Sequence, residues 1–105
     1  MQVELDVFSG RPNPAWEVPS ARATLLLGQV RSSPESSEKP FLPDLGYRGF
    51  ILHSGLTLIR VYQGQIIIGD KRGHHVLQDK NHIEMELASE ARAKGYGSAL
   101  AGMQE

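Results

Sequence analysis

The chain has 105 residues, with 11 basic and 12 acidic side chains and no cysteine. This length favours one domain, which can bury enough apolar surface to fold without staples. The lack of cysteine excludes disulfides, thiolate catalysis and cysteine-ligated zinc or iron–sulfur sites, and the balanced charge argues against a nucleic-acid surface, which needs a basic stripe.

The first predicted element is a strand over residues 2–8, where apolar and polar side chains alternate. Glu4 and Asp6 share its polar face. Paired carboxylates can perform acid–base chemistry when burial separates their pKa values. On a half-exposed, edge-like strand, we expect them instead to favour solubility and to prevent edge-to-edge association.

A stiff turn, SGRPNP at residues 9–14, follows this strand. Its two prolines fix φ and remove backbone donors, and its glycine permits a turn that other residues resist. Asn13 precedes a proline, so it is restricted to extended or turn geometry and can form an Asx-type turn. The segment therefore predicts an elbow that holds Arg11 close to Trp16.

A short helix and a long loop are predicted next. Ser20 is a candidate N-cap, and Gly28 suggests the end of the helix or a frayed last turn. Residues 31–46 are rich in proline and serine, so they predict a flexible surface loop. Loops of this length in small domains are often functional lids.

Three strands are predicted at about residues 48–53, 57–62 and 65–69, joined by the turn signals Ser54-Gly55 and Gln63-Gly64. These short turns predict an antiparallel meander.

The polar residues 70–80 predict a loop, and Asp79 or Asn81 is a candidate cap for a final helix. Glycines at 95 and 97 should end that helix, leaving a frayed C-terminus from about residue 97. The chain is thus predicted to be a single α+β domain over residues 1–105. Its four-stranded, mainly antiparallel sheet has the element order β-α-β-β-β-α, with two helices packed on one face.

Catalytic and metal-binding patterns are weak. His74, His75 and His82 have neighbouring carboxylates, but their spacing does not match two imidazoles and a carboxylate converging from rigid elements. Ser54 and His53 are sequence neighbours on a strand, so they would point to opposite faces. We expect no catalytic residue, metal or cofactor; a metal-dependent enzyme with histidine ligands remains an alternative.

The stretch VELDVFSGRPNPAWEV at residues 3–18, with a looser match in LGYRGF at 45–50, resembles the small peptide-binding proteins of crocagin biosynthesis. Those proteins accompany enzymes that turn a ribosomal precursor peptide into a pyrroloindoline product. The resemblance implies a non-catalytic accessory protein in natural-product biosynthesis, in which peptides are ribosomally synthesised and post-translationally modified. Its partners would be the precursor peptide and a peptide-modifying enzyme.

The predicted peptide-binding surface joins the elbow to one face of the meander. Leu56, Leu58, Arg60 and Tyr62 alternate, so they are expected to share that face. Trp16 has an alternative interpretation, in which it packs into the core while Arg11 covers it. The predicted site residues are Phe8, Arg11, Asn13, Trp16, Tyr47, Arg48, Arg60, Tyr62 and Arg72.

Three further expectations concern setting and assembly. No apolar run approaches the ~20 residues that cross a bilayer, and the first residues lack a signal pattern, so we expect a cytoplasmic protein without membrane or nucleic-acid partners. A homodimer is possible from the sequence. The competing function is a structural protein-interaction module that binds a protein partner or itself.

Overall fold

The computed structural model describes residues 1–8, 12–40, 42–43, 46–70 and 73–100, with Phe8 described by its backbone only. The elements in chain order are β1 (Gln2–Phe8), β2 (Ala15–Glu17), α1 (Ser20–Arg31), β3 (Gly46–Ser54), β4 (Thr57–Tyr62), β5 (Gln65–Asp70), β6 (Gly73–Gln78), α2 (Ile83–Ala93) and a final 3₁₀ helix (Gly97–Leu100).

The six strands form one antiparallel sheet in the order β2-β1-β3-β4-β5-β6. The α+β class and the meander are confirmed, but the prediction of four strands is wrong. The two additional strands, β2 and β6, lie at the two edges of the sheet. β2 has three residues, too few to show alternation, and β6 has the sequence GHHVLQ, whose polar composition resembles a loop.

The register divides the sheet into a helix-covered face and an open face. One row of neighbours on the open face runs through Ala15, Glu4, Ile51, Arg60, Ile67 and Val76. The next row runs through Gln2, His53, Leu58, Gly69 and His74. The alternate residues of β1, β3 and β4 belong to the buried core.

Both helices contribute to that core. α1 buries Ala23, Leu26 and Val30, and α2 buries an apolar stripe that begins at Ile83. Arg22 of α1 donates to carboxylates of α2, with Nε 2.9 Å from an oxygen of Glu90. The two helices are therefore joined by charge at their surface and by apolar packing below it.

Asp79 caps α2, as one of the two sequence candidates predicted. Its carboxylate accepts the backbone N–H of Ile83 at 2.8 Å and that of Glu84 at 3.0 Å. Asn81, the other candidate, instead donates to the carbonyl of Gln29 near the end of α1. α1 itself continues past Gly28 to Arg31, and this last turn buries Val30.

The segment predicted as the long loop makes definite contacts along β6. The N–H of Ser36 donates to the carbonyl of Val76 at 2.9 Å, and the N–H of Gln78 donates to the carbonyl of Pro34 at 2.8 Å. Leu42 is half-buried against the core. At the C-terminus, Leu100 is buried within the 3₁₀ helix that begins the predicted frayed end.

Across the described ranges, neither helix has the length and apolar character that crossing a bilayer requires.

Candidate functional site

The open face of the sheet carries a cavity of about 910 Å³. Its lining residues are Pro40, Leu42, Ile51, Leu56, Leu58, Arg60, Ile67, Gly69, Asp70 and His74. The floor comes from the two open-face rows, and Pro40 and Leu42 form one wall. Leu56 is 80% exposed and Leu58 is 50% exposed, so leucine side chains face solvent at this position. Clustered exposed apolar side chains of this kind are typical of an interaction site.

Arg60 joins the cavity to a charged cluster. Its Nη1 donates to Asp6 Oδ2 at 2.6 Å and to the carbonyl of Arg48 at 2.9 Å. Arg48 Nε lies 3.8 Å from the same carboxylate oxygen. Asp6 is only 7% exposed, and its two arginine neighbours offset the cost of burying its charge. The guanidinium of Arg60 is therefore fixed in place at the cavity wall.

Asn13 connects the elbow to this cluster. Its Oδ1 accepts the backbone N–H of Val7 at 2.9 Å, while its Nδ2 donates to Glu4 at 2.6 Å and to Asp6 at 3.3 Å. Only an amide side chain supplies both the acceptor and the donors that this position uses. Glu4 also pairs with His53 Nε2 at 2.8 Å. The cluster thus runs without a break from His53 to Arg60.

His74 occupies the far end of the cavity, on the edge strand β6. The position that a Cβ on Gly69 would take lies 3.5 Å from His74 Cδ2 and 3.6 Å from Nε2, so the imidazole lies over the glycine. A Cβ at position 69 would make ordinary van der Waals contact with the ring, and a longer side chain would take up space on the cavity floor. The absence of a side chain at this position therefore helps to shape the cavity.

A buried polar pair lies on the opposite, helix-covered face. The hydroxyl of Tyr47 donates to Glu84 Oε2 at 2.5 Å, and Glu84 also accepts backbone N–H groups of Gln63 and Gly64. Burial raises the pKa of Glu84, and the hydrogen bonds partly oppose this rise. Burial also raises the pKa of Tyr47, with the nearby carboxylate adding to the effect. This pair closes the core and does not reach the cavity.

Tyr47 was a predicted site residue, and two further predicted aromatic site residues, Trp16 and Tyr62, likewise belong to the core. Trp16 is 8% exposed, stacks on Tyr96 with ring centroids 6.0 Å apart, and meets Phe50 edge to face. Tyr62 is 5% exposed, and its ring centroid lies 5.6 Å from that of Tyr47. These rings have little surface left for a ligand, so we do not include them in the candidate site.

The remaining predicted residues fall into two groups. Asn13, Arg48 and Arg60 are brought together around Asp6. Arg11 and Arg72 lie outside the described residues, and Phe8 ends β1 opposite Gly46. The alternation that placed Leu56, Leu58 and Arg60 on one face is confirmed, whereas Tyr62 is buried beside Tyr47.

Sequence reasoning missed the cluster of Glu4, Asp6 and His53. The two carboxylates were expected to protect a sheet edge, but β1 lies inside the sheet between β2 and β3. Their spacing along β1 did signal a shared face. Their partners come from β3, β4 and the elbow, and only the register of the sheet identifies those.

Among the described residues, no three histidine, aspartate or glutamate side chains converge in a way that could hold a metal ion. The charged groups near the cavity contact one another, with Asp6 surrounded by donors. The arrangement is suited to holding an apolar ligand beside a fixed guanidinium.

Comparison with known proteins gives no match: no protein-family model, curated protein or solved structure is significantly similar to this chain. The fold and the site therefore define the chain as an α+β protein with an open sheet face that carries an apolar cavity.

Proposed function

We propose that this protein is a non-catalytic peptide-binding protein. In this role it holds a ribosomal precursor peptide and presents or protects it for a modifying enzyme. The main supporting observation is the apolar cavity on the open face, with Leu56 and Leu58 exposed beside the fixed guanidinium of Arg60. The resemblance of residues 3–18 to the peptide-binding proteins of crocagin biosynthesis supports the identity of the ligand.

The physical role follows from the flexibility of a precursor peptide. Apolar side chains of the peptide would replace water against Leu58 and Ile67. Nη1 of Arg60 is engaged by Asp6 and Arg48, so its other N–H groups are the ones that could donate to a peptide carbonyl. Holding the peptide in this way lowers the entropic part of the barrier for a partner enzyme. The proposed setting is the cytoplasm, where ribosomal peptides are made.

Calorimetric titration with the precursor peptide encoded in the same gene neighbourhood tests the proposal. The full-length peptide and a form lacking its C-terminal core are titrated into wild-type protein and two variants. Leu58→Gln removes apolar floor from the cavity, whereas Leu25→Gln makes the same change at a leucine of α1 that is 63% exposed and does not line the cavity.

We expect saturable binding to wild type and roughly three- to tenfold weaker binding to Leu58→Gln. Fully burying a leucine contributes about 1.5–3 kcal/mol, and the half-exposed Leu58 would gain about half of that on binding. Leu25→Gln should bind like wild type. No heat with folded wild-type protein would overturn the proposed function. Equal binding by the two variants would show that the peptide binds elsewhere.

The competing function, a structural interaction module, is suggested by the same exposed leucines. It predicts that these side chains are covered by a folded protein or by a second copy of the chain. Light scattering of the free protein, with and without the peptide, separates these cases. A dimer that Leu58→Gln dissociates would favour the interaction module over the peptide-binding function.

A further inference from the structure

The guanidinium of Arg60 uses Nη1 alone for its hydrogen bonds within the described parts of the chain. Nη1 donates to Asp6 Oδ2 at 2.6 Å and to the carbonyl of Arg48 at 2.9 Å, which engages both of its hydrogens. Nε and Nη2 have no partner among the same residues, and neither nitrogen is buried. The N–H groups of Nε and Nη2 are therefore available to a ligand.

The two unused nitrogens are arranged to bind a carboxylate. In a planar guanidinium, the N–H of Nε and one N–H of Nη2 are parallel and lie along the same side of the group. Two parallel donors match the two oxygens of a carboxylate, and such a charged pair is stronger than a hydrogen bond to a neutral carbonyl. Asp6 and the Arg48 carbonyl hold Nη1, so this fork of donors is positioned before a ligand binds.

The charges around Arg60 favour an anionic ligand. Asp6 is shared between Arg60 and Arg48, whose Nε lies 3.8 Å from the same carboxylate oxygen. Asp6 therefore offsets only part of the positive charge of Arg60. Glu4, the other acid of the cluster, is paired with His53 at 2.8 Å. The fork keeps positive charge that a ligand carboxylate can neutralise.

Apolar side chains surround the fork. The register places Arg60 between Ile51 and Ile67 on the open face, and Leu58 lies two residues earlier on the same strand. All of these residues line the cavity. Asp70 also lines it, but this acid follows Ile67 by three positions, which is about 10 Å along β5. A ligand can therefore place a carboxylate at Arg60 and an apolar group on the neighbouring floor, away from that acid.

We infer that the fork of Arg60 binds a carboxylate of the peptide, and that an apolar side chain beside this carboxylate packs on Leu58 and Ile67. This inference rests on the proposed peptide-binding function and names its ligand class, a peptide with a carboxylate next to an apolar group. Two sources supply this chemistry. One is the C-terminal carboxylate of a peptide with an apolar last residue, and the other is an aspartate or glutamate side chain beside an apolar residue.

Three forms of the precursor peptide test the inference on unchanged protein. The first is the full-length peptide with a free carboxyl terminus, and the second is the same peptide as a C-terminal amide. The third keeps the free terminus but carries asparagine and glutamine in place of its aspartates and glutamates. Calorimetric titration into wild-type protein gives the affinity of each form.

We expect at least one altered form to bind about tenfold more weakly than the full-length peptide, because a charged pair is replaced by a neutral contact. A weaker amide identifies the C-terminal carboxylate, and a weaker third form identifies an acidic side chain. Equal affinities for all three forms would overturn the inference and leave the proposed function standing. A wild-type protein that binds none of them would instead overturn the proposed function itself.

A protein variant connects this preference to Arg60. Arg60→Lys keeps a positive charge beside Asp6 but removes the planar fork. Arg31→Lys makes the same change at an exposed residue in the last turn of α1, which does not line the cavity. The preference for the carboxylate should fall below about threefold in Arg60→Lys and stay near about tenfold in Arg31→Lys. An unchanged preference in folded Arg60→Lys protein would overturn recognition by the fork.

The Nε–H proton of Arg60 provides a readout that does not depend on a variant folding. In wild-type protein, its NMR signal should move downfield and its exchange with solvent should slow when the full-length peptide binds, because the proton joins a hydrogen bond to a charged oxygen. The peptide form that lacks this carboxylate should leave the signal close to its position in the free protein. Binding of the full-length peptide without a shift of this signal would contradict recognition at the fork.

Discussion

On the helix-covered face of the sheet, Leu52 and Ile59 are buried beneath the helices, and the polar pair of Tyr47 and Glu84 is closed within the core. On the open face, Leu58 is half-exposed, and the charged groups are collected to one side of an apolar cavity. The same strands supply both faces. This sheet therefore completes its core on one side and keeps apolar surface available on the other.

Two leucines provide the largest contrast between the faces. Leu52 is fully buried and Leu58 is 50% exposed, on neighbouring strands. Leu52→Ala should lower the free energy of unfolding by about 2–5 kcal/mol, because it leaves a cavity in the core. Leu58→Ala should lower it by less than about 1 kcal/mol, since most of the lost contact is with water. Urea denaturation measures both, and equal losses would refute the distinction between the faces.

The charged cluster of the open face can be tested by removing one carboxylate. Asp6→Asn weakens the bonds to Arg60 and removes the negative charge that lies beside Arg60 and Arg48. We expect the free energy of unfolding to fall by about 1–3 kcal/mol, the typical cost of leaving a partly buried polar group without its partner.

Glu17→Gln is the matched control, because this carboxylate is 75% exposed and pairs only with the N-terminal amine at 3.3 Å among the described contacts. Glu17→Gln should change the free energy of unfolding by close to zero, as the loss of most surface ion pairs does. A similar effect of both variants would show that the cluster around Asp6 does not stabilise the open face.

The buried pair of the helix-covered face predicts a smaller, pH-dependent effect. Because burial raises the pKa of Glu84 in the folded state, its stabilising contribution is complete below the unfolded pKa and is lost as the pH rises through the folded pKa. Wild type should therefore lose stability relative to Glu84→Gln as the pH rises from about 4 upward. Denaturation midpoints across this range provide the measurement, and a constant difference between the two proteins would contradict the raised pKa.

Much of the fold follows from alternation and turn chemistry. The three strands β3, β4 and β5 were predictable because glycine turns bound their alternating apolar residues. The Asp79 cap was predictable because a carboxylate can accept the free N–H groups at the start of a helix. β6 was not predictable, because an edge strand buries too little apolar surface for its composition to differ from that of a loop. The candidate site was predictable only as the shared face of Leu56, Leu58 and Arg60.

The rest of the site depends on pairing between distant parts of the chain. Asp6 of β1 meets Arg60 of β4 across the intervening strand β3, and Asn13 reaches back to β1 from the elbow. Trp16 illustrates the converse, since the same aromatic side chain suits a ligand platform or a core until the position of α2 is known. Local patterns show which face a residue shares, but not which partner it finds there.

Methyl chemical-shift mapping can locate the bound peptide on one face of the sheet or the other. The methyl groups of the protein are observed by NMR while the full-length precursor peptide is added. If the peptide binds in the cavity, we expect shifts for Ile51, Leu58 and Ile67 on the open face, with little change for Leu52 and Ile59 on the helix-covered face. Shifts confined to the helix-covered face, or no shifts at saturating peptide, would contradict peptide binding at the open face.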